Sequence, residues 1–417
     1  MKMNNLEYLL ARRTAAHDGE SRAAVMMRIA TISVALALTV MIVTLAVFNG
    51  FRGEIYADLR GFGADIQLME VSGLRRDAQP VEYEPLLAER VAEIKGVRSV
   101  APYIIMGGMA KSGDETLGLQ LKGVDSTYDT SWWQSRLVEG TLPDIKGEER
   151  TKQLLLSRTT AQRLNVGVGD KVEILYVSAI SGARRDSYKV SGLYHTGLEE
   201  MDASMALADL RDVRRTVAWE DGMISGYDVA LERMKDSERV AEAIDEMLFM
   251  DEDIQTTSCL PATLALRHPV VFDWLKAHTV IAQVVIIIMM AVLLFNMAAA
   301  MLIMVFDRTG MIGALKAQGM RSSAIRRVFL YRAAILFVRG AVWGNAVGGA
   351  FVVVQALWQP IKLDPYGYML SVLPVSVDWR WWVVLNVATL VATIAVMVLP
   401  SAMVARIRPE ESLKYKL

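Results

Sequence analysis

The side chains able to do covalent chemistry are few in this chain and badly spaced for it. Four histidines (His17, His195, His268 and His278) lack partners at metal-ligand spacing and have no obvious nucleophile partner. One cysteine, Cys259, excludes an intramolecular disulfide framework and any multi-cysteine metal site. No G-x-x-x-x-G-K-[ST] phosphate loop occurs, so ATP is not bound by that device. We assign no catalytic residue, no metal and no cofactor to this chain. A net charge of −1 gives no case for nucleic acid.

The chemistry that remains is electrostatic, and it gathers in Phe306–Tyr331 (307–331 once the last apolar residue is left out). This stretch carries Arg308, Lys316, Arg321, Arg326 and Arg327 against one acid, Asp307. Such a bias beside an apolar run marks a cytoplasmic loop. Met311, Ile312 and Leu315 fall at helical spacing, which predicts a short amphipathic helix over Arg308–Gln318. Gly319 can supply the left-handed residue that ends it. Ser322 or Ser323 then offers an N-cap to a helix whose Ile325, Val328 and Phe329 share a face. The apolar side of the short helix, Leu315 included, is expected to seat in a soluble partner. A basic loop held against lipid headgroups is the plainer alternative.

The elements around this segment are membrane spans. With 53% hydrophobic residues, the 417-residue chain is too apolar for an ordinary soluble protein, and those residues concentrate in four runs. Residues 1–28 include Asn4–Arg13, where Leu6, Leu9 and Leu10 share a face beside Arg12 and Arg13, an interfacial helix. Residues 29–48 are uncharged and long enough to cross about 30 Å of hydrocarbon. A signal peptide would have a shorter charged leader and an A-x-A site. Residues 268–306 read as a stalk and second span, because an uncharged helix over Thr279–Phe306 would be about 42 Å long. The third span, 333–358, has Gly340, Gly344 and Gly348 four apart, for close helix packing within the chain, and Arg339 placed to snorkel. Residues 359–380 form an outer loop among Trp358, Trp379, Trp381 and Trp382. The fourth span is 381–405, with Pro400 near its inner end. The tail, 406–417, holds Arg406, Arg408, Lys414 and Lys416, which places both termini inside.

Residues 50–267 contain no run of membrane length and read as an α+β domain outside the membrane. A helix over Glu82–Ile94 precedes a strand over Val97–Ile105. Later come a strand over Tyr227–Leu231, a helix over Asp236–Leu248 and a strand over Asp253–Ser258. Two such units flanking an insertion (106–226) suggest a split ferredoxin-like layer. The insertion is β-rich, with strands over Leu117–Lys122, Gln153–Leu156, Lys171–Val177 and Ser187–Leu193. A hairpin tip over Ser178–Asp186 presents Ser181, Gly182, Arg184 and Arg185. A solvated basic turn accounts for these residues as well.

The run R-T-x-M-I-G-x-L-K-A-x-G followed by I-R-R-x-F resembles the coupling segment of FtsX/MacB-like ABC transporter permeases. The resemblance implies that Arg308, Met311, Ile312, Gly313, Leu315, Lys316, Ala317 and Gly319 engage a separate cytoplasmic ATPase dimer, which binds the ATP and Mg. Met311 stands where many relatives carry Glu. The exit of the first span, FNGFRGEI with Asn49, Gly50 and Phe51, is similar to that of Lol-type lipoprotein-releasing permeases (the LolC/LolE-like branch). The closing residues Pro400, Ala405, Pro409, Glu411 and Leu413 resemble the family's tail. This implies a four-helix membrane α-helical permease with a large α+β extracytoplasmic domain, set in a bacterial inner membrane. Its implied partners are a second permease copy or a paralogue, a lipoprotein substrate, membrane lipids and a periplasmic lipoprotein carrier held by the hairpin tip. Met41, Met289, Met290 and Phe295 would then offer flexible surface to lipid tails. A MacB-like efflux permease and an FtsX-like signalling protein acting on a cell-wall hydrolase are the rival expectations.

The charge asymmetry makes a topological prediction. In a Cys259→Ser background, Arg184→Cys should react with an impermeant thiol reagent in intact spheroplasts, and Lys316→Cys should not. The reverse pattern of labelling overturns the orientation.

Overall fold

The apolar runs fold as four helices long enough to cross a membrane. The computed structural model describes residues 22–70, 80–147, 149–178, 182–251, 254, 259–364 and 370–401. The expected interfacial helix at Asn4–Arg13, Ser181 of the hairpin tip and the tail 406–417 lie outside the described residues. From the first described residue the elements run α1 (Arg22–Gly63), β1 (Ile66–Glu70), β2 (Val81–Glu82), α2 (Pro85–Glu93), β3 (Val97–Ser112) and β4 (Glu115–Val124). Next come α3 (Ser131–Arg136), β5 (Leu137–Gly140), β6 (Gln153–Ser157), α4 (Arg158–Leu164), β7 (Lys171–Ser178) and β8 (Gly182–Tyr194). They are followed by α5 (Glu199–Asp202), β9 (Met205–Asp209), α6 (Leu210–Val217), β10 (Met223–Ile224), β11 (Gly226–Leu231) and α7 (Ser237–Met250). The last group is β12 (Cys259–Thr263), α8 (Leu264–Arg267), α9 (Pro269–Asp307), α10 (Thr309–Ala317), α11 (Ser322–Trp358) and α12 (Trp379–Ser401).

Two compact units share these elements. One takes the described residues up to Gly53, Leu275–Ile361 and those from Leu373 onward; the other is Glu54–Trp274 with Lys362–Val372. In the first, Leu38, Met41 and Ile42 of α1, Met297 and Met301 of α9, and Ile325 and Phe329 of α11 form one buried cluster. The three spaced glycines of α11 lie against α1. A Cβ on Gly340 would stand 2.6 Å from Val34, one on Gly344 2.8 Å from the Ala35 carbonyl, and one on Gly348 3.1 Å from Ile42. Their missing side chains let two backbones pack closely, the usual source of helix attraction where no water drives it. Polar side chains beside this cluster pair with one another: Asn296 donates to Ser33, and Trp382 Nε1 and Asn386 both donate to Asn345 Oδ1. Arg339 is exposed on α11.

In the second unit, β12, β1, β11 and β3 lie side by side in that order. β1 runs antiparallel to both neighbours, and β11 antiparallel to β3. With α2 and α7 in the connections this is the ferredoxin-like arrangement split by an insertion. The last strand is β12 rather than the expected Asp253–Ser258, most of which lies outside the described residues. Pro261 disguised it, since proline reads as a strand breaker. On the edge strand β12 its missing N–H is tolerated. Gly226 has no alternative in β11: its φ is +151°, and a Cβ would stand 1.9 Å from the Leu68 carbonyl oxygen.

The insertion closes on itself. β3 pairs with β4, β4 with β9, β9 with β6, β6 with β8, β8 with β7, and β7 returns to β3. Six strands therefore make a small barrel whose interior is filled by side chains such as Ile174, Tyr188, Leu154 and Ala206, all buried. The 16-residue β3 belongs to both lobes, the ferredoxin-like layer through its first half and the barrel through its second.

α1 does not stop at Phe48, where the uncharged run ends, but continues to Gly63. Its last carbonyls therefore sit in the core of the second unit and need donors. The ammonium of Lys122, 1% exposed, donates to the Phe62 carbonyl at 2.6 Å and to Asp228. Arg267 donates to the Gly63 and Ala64 carbonyls at 2.6 and 2.9 Å. Cations at a helix C-terminus also meet the negative end of its dipole. Gln67 donates to the second Asp228 oxygen at 2.7 Å, and the Tyr128 ring faces the ammonium at 5.0 Å. Burial pulls the Lys122 ammonium toward neutrality, but Asp228 and Tyr128 together outweigh it and raise its pKa.

Removing only one member of such a pair leaves a buried charge alone. Lys122→Met should cost about 3–5 kcal/mol of stability in this unit, and adding Asp228→Leu should recover most of it. Denaturant unfolding followed by tryptophan fluorescence checks this, since Trp133 is fully buried in the same unit. Equal midpoints for wild type and Lys122→Met overturn it.

Candidate functional site

α10 begins after Arg308, whose carbonyl accepts from the Ile312 N–H at 3.0 Å. It ends in a paired left-handed turn. Gly319 has φ +85°, its N–H donates to the Lys316 carbonyl, and the Met320 N–H reaches back to Leu315. That is the Schellman closure, which Gly319 makes possible because it has no Cβ to clash. The next helix starts one residue earlier than the expected caps require. Arg321 stands at the N-cap without a side-chain bond, and Ser322 and Ser323 are already helical.

The apolar face of α10 turns inward. Ile312 is fully buried in the same cluster as Ile325 and Phe329, and Met311, Leu315 and Met320 pack against that cluster. Leu315, expected to seat in a partner, packs against this cluster and stays half-buried, so its side of the helix is partly covered by this chain. Gly313 is buried with Ile312. The outward face is Gly310, Ala314 and Ala317, all exposed, with Gln318 and Gly319 at its end. Lys316 is half-buried, and the Arg308 guanidinium stands 3.8 Å from the Asp307 carboxylate. Sequence periodicity found the amphipathic helix, and its apolar stripe is shared between Ile312, which is buried, and Met311 and Leu315, which are half-buried. A hydrophobic stripe seen alone does not say what covers it.

The residues of the exit motif are also helical. Asn49, Gly50 and Phe51 all lie within α1, not beyond its end. Gly50 has a reason to be glycine: a Cβ there would stand 2.4 Å from the Pro374 carbonyl oxygen and 2.7 Å from the Val375 nitrogen. The segment that follows Leu373 is thereby laid directly on α1, and the Ser376 N–H donates to the Ala46 carbonyl at 3.0 Å. Of the residues expected to meet lipid tails, Met41 is sealed in the helix core. Met289 and Met290 are half-buried on α9, whereas Phe295 is 75% exposed. Phe295 continues an outward apolar stripe of Val284, Ile288 and Val292. The four do not converge on one cavity.

In the other unit, Arg184 and Arg185 sit on β8, opposite Tyr176 and Leu175 of β7, rather than in a loop. Gly182 opens that strand with φ +69°. Arg184 joins Arg150, Arg211, Arg214 and Arg215 around a hollow of about 530 Å³ that Trp219 also lines. Some of these charges are committed: Arg211 pairs with Asp209 at 2.6 Å, and Arg214 Nε donates to the Met223 carbonyl at 3.0 Å. Burial holds the Arg214 guanidinium below its ordinary pKa. This basic hollow was invisible in sequence because its arginines come from three separate stretches. Among the described residues no group of His, Cys, Asp and Glu is arranged to hold a metal ion.

Comparison with known proteins meets both units. The model of the MacB-like periplasmic core domain matches residues 28–247, and that of the FtsX-like permease C-terminal region matches residues 283–409. The chain is 23% identical over 401 residues to the lipoprotein-releasing system transmembrane protein LolC of Xylella fastidiosa, covering 92% of each chain. It is 23% identical over 400 residues to LolC of Neisseria meningitidis serogroup B, again with 92% of each covered. The lipoprotein-releasing system transmembrane protein LolE of Haemophilus influenzae is 21% identical over 412 residues, with 94% of each covered. Since the first family model alone takes in more than half of the chain, this protein belongs to the permease family that joins a MacB-like periplasmic core domain to an FtsX-like permease C-terminal region.

Proposed function

We propose that the protein is the permease subunit of an ABC transporter that lifts lipoproteins out of a bacterial inner membrane and passes them to a soluble periplasmic carrier. The observation that carries this reading is the span of the similarity. Relatives named for lipoprotein release align with 92–94% of the chain, through both the membrane helices and the soluble domain. The physical problem is severe, because each buried acyl methylene holds the anchor by about 0.8 kcal/mol. Energy has to come from outside the chain. A cytoplasmic ATPase dimer, binding ATP and Mg, supplies it, and the permease does no catalysis of its own. A second copy or a paralogue completes the membrane part, and both termini are cytoplasmic.

Each element takes a role in this reading. α10 is the ATPase contact, through Gly310, Ala314 and Ala317 with Arg308 and Lys316 alongside. The exposed α9 stripe ending at Phe295 is the lipid-facing path. The basic hollow around Arg184 receives an acidic surface of the carrier, with Arg185 beside it.

Two experiments test the reading. Ala314→Trp fills the outward face of α10 without entering the core, and should abolish co-purification of the ATPase while the thermal midpoint stays unchanged. Ile312→Ala should instead lower stability by about 2–5 kcal/mol, the cost of a core cavity. Retention of the ATPase by Ala314→Trp removes α10 as the contact. Depleting the protein should strand outer-membrane lipoproteins in the inner membrane while soluble periplasmic proteins sort normally. Normal lipoprotein sorting together with new sensitivity to small toxic compounds points to efflux instead.

A further inference from the structure

The barrel has one apolar outer wall. Ala110 and Ile174 point inward and are fully buried, so the neighbours Met109 and Leu175, which face each other across β3 and β7, point outward. On the other side Met109 opposes Gly118 of β4. Val177 continues the outward row at 64% exposure, and Met109 itself is 41% exposed. Ile55 and Leu59 of α1, Met201 of α5 and Val270 of α9 stand around this wall and complete a cleft of about 1200 Å³. Gly107 and Gly118 leave its floor bare, with no atom within 4 Å of where a Cβ would be.

The lining narrows the ligand. The volume exceeds the roughly 300–1000 Å³ of sites that enclose compact drug-sized molecules. Directional side chains come from Gln120, Arg163, Glu199, Ser204 and Arg267, and Arg267 is already committed to the Gly63 and Ala64 carbonyls. His268 also lines the cleft, and burial together with the Arg267 guanidinium pushes its imidazole down to about 4, so it is uncharged at neutral pH. A long, flexible, apolar molecule with a small polar junction fits this wall, and a compact polar one does not. The wall is also tied to the membrane helices by chain. Ile55 and Leu59 follow Gly53, the last α1 residue of the membrane unit, and Val270 precedes Leu275, where that unit resumes on α9.

We propose that this cleft receives the acyl chains of the lipid-anchored cargo once they have left the bilayer, with Arg163 donating to the ester and amide carbonyls that join the chains to the polypeptide. This rests on the lipoprotein-release reading. The occupant is a lipid anchor, not a second protein chain.

The test uses the full permease–ATPase complex in lipid nanodiscs. The probe is a triacylated lipopeptide with a diazirine in its acyl chains, photolysed with and without ATP and mapped by mass spectrometry. ATP-dependent adducts on Met109, Leu175 or Val177 are expected. Gly118→Trp, which fills the floor at an open strand position, should abolish them, and Val177→Asp should do the same by charging the exposed end of the wall. Thermal midpoints equal to wild type show that either variant is folded. Release of a lipid-anchored protein from proteoliposomes is measured in parallel. If wild type releases cargo but the wall takes no adduct, or if both variants release cargo at the wild-type rate, the cleft assignment is overturned and the release reading stands. If wild type releases nothing, both fall. If Val177→Cys in a Cys259→Ser background is instead joined to a second permease chain by a bifunctional thiol reagent and the wall takes no lipopeptide adduct, the wall belongs to subunit packing and the proposal is overturned.

Discussion

The C-terminus of α1 has to be buried and satisfied at once, and the soluble unit is arranged to do both. A helix that ends in an apolar core presents carbonyls with no water to bond them, a cost of roughly 1–3 kcal/mol each when unmet. Lys122 from β4 and Arg267 from α8 bring cations to these carbonyls. Each cation then needs its own counterpart, which Asp228 of β11 provides for Lys122. Asp65, just beyond the helix, accepts from the Leu231 N–H at 2.7 Å and pairs with Arg60 at 2.9 Å, and Arg60 also reaches the Leu231 carbonyl. One buried helix end thus fixes β4 of the barrel and β11 of the ferredoxin-like layer relative to it. The polar groups are few, and their partners leave little room for another register.

The same economy of backbone space governs the membrane unit by other means. No hydrophobic effect pulls helices together within lipid, so contact depends on how closely they approach. Gly340, Gly344 and Gly348 remove the side chains that would hold α11 off α1, and the Thr39 hydroxyl reaches the Gly344 carbonyl at 3.1 Å across the gap. Gly50 does the same between α1 and the segment Pro374–Ser376. Gly50 of the exit motif therefore has a packing explanation that holds whatever cargo the protein moves.

Much of the architecture was legible in the sequence because hydropathy and βα repetition report local physics faithfully. The four long apolar helices and the split ferredoxin-like layer came from those two signals. What failed was whatever depended on partners. Hydropathy bounds the first span at Phe48 but says nothing of how far the helix runs on, since it registers lipid, not the continuation of a helix into a protein core. β12 was missed because Pro261 is harmless only on an edge, a fact that pairing supplies. Barrel closure needs β7 to return to β3 across more than 60 residues, and no local pattern encodes that. The arginine hollow has the same character, since Arg150, Arg184 and Arg211 become neighbours only after the insertion has folded.

α10 shows most clearly why a stripe of apolar residues is weak evidence for a docking face. A helix under a membrane domain has two claims on its apolar side, its own bundle and a partner. The bundle is always present, whereas a separate subunit must bind and dissociate. Burying Ile312 and half-burying Met311 and Leu315 internally keeps much of this apolar side out of water in the absence of a partner. It leaves Gly310, Ala314 and Ala317 outward, a surface without bulk that another protein's backbone can approach closely. Such a face gives little burial energy of its own, so any affinity there must come from fit and from the charges at its ends, Arg308 and Lys316. On the covered side Ile312 shares a core with Ile325 and Phe329 of α11. A close-packed core of this kind moves as a body and does not yield locally, so α10 and the start of α11 are held together as one piece.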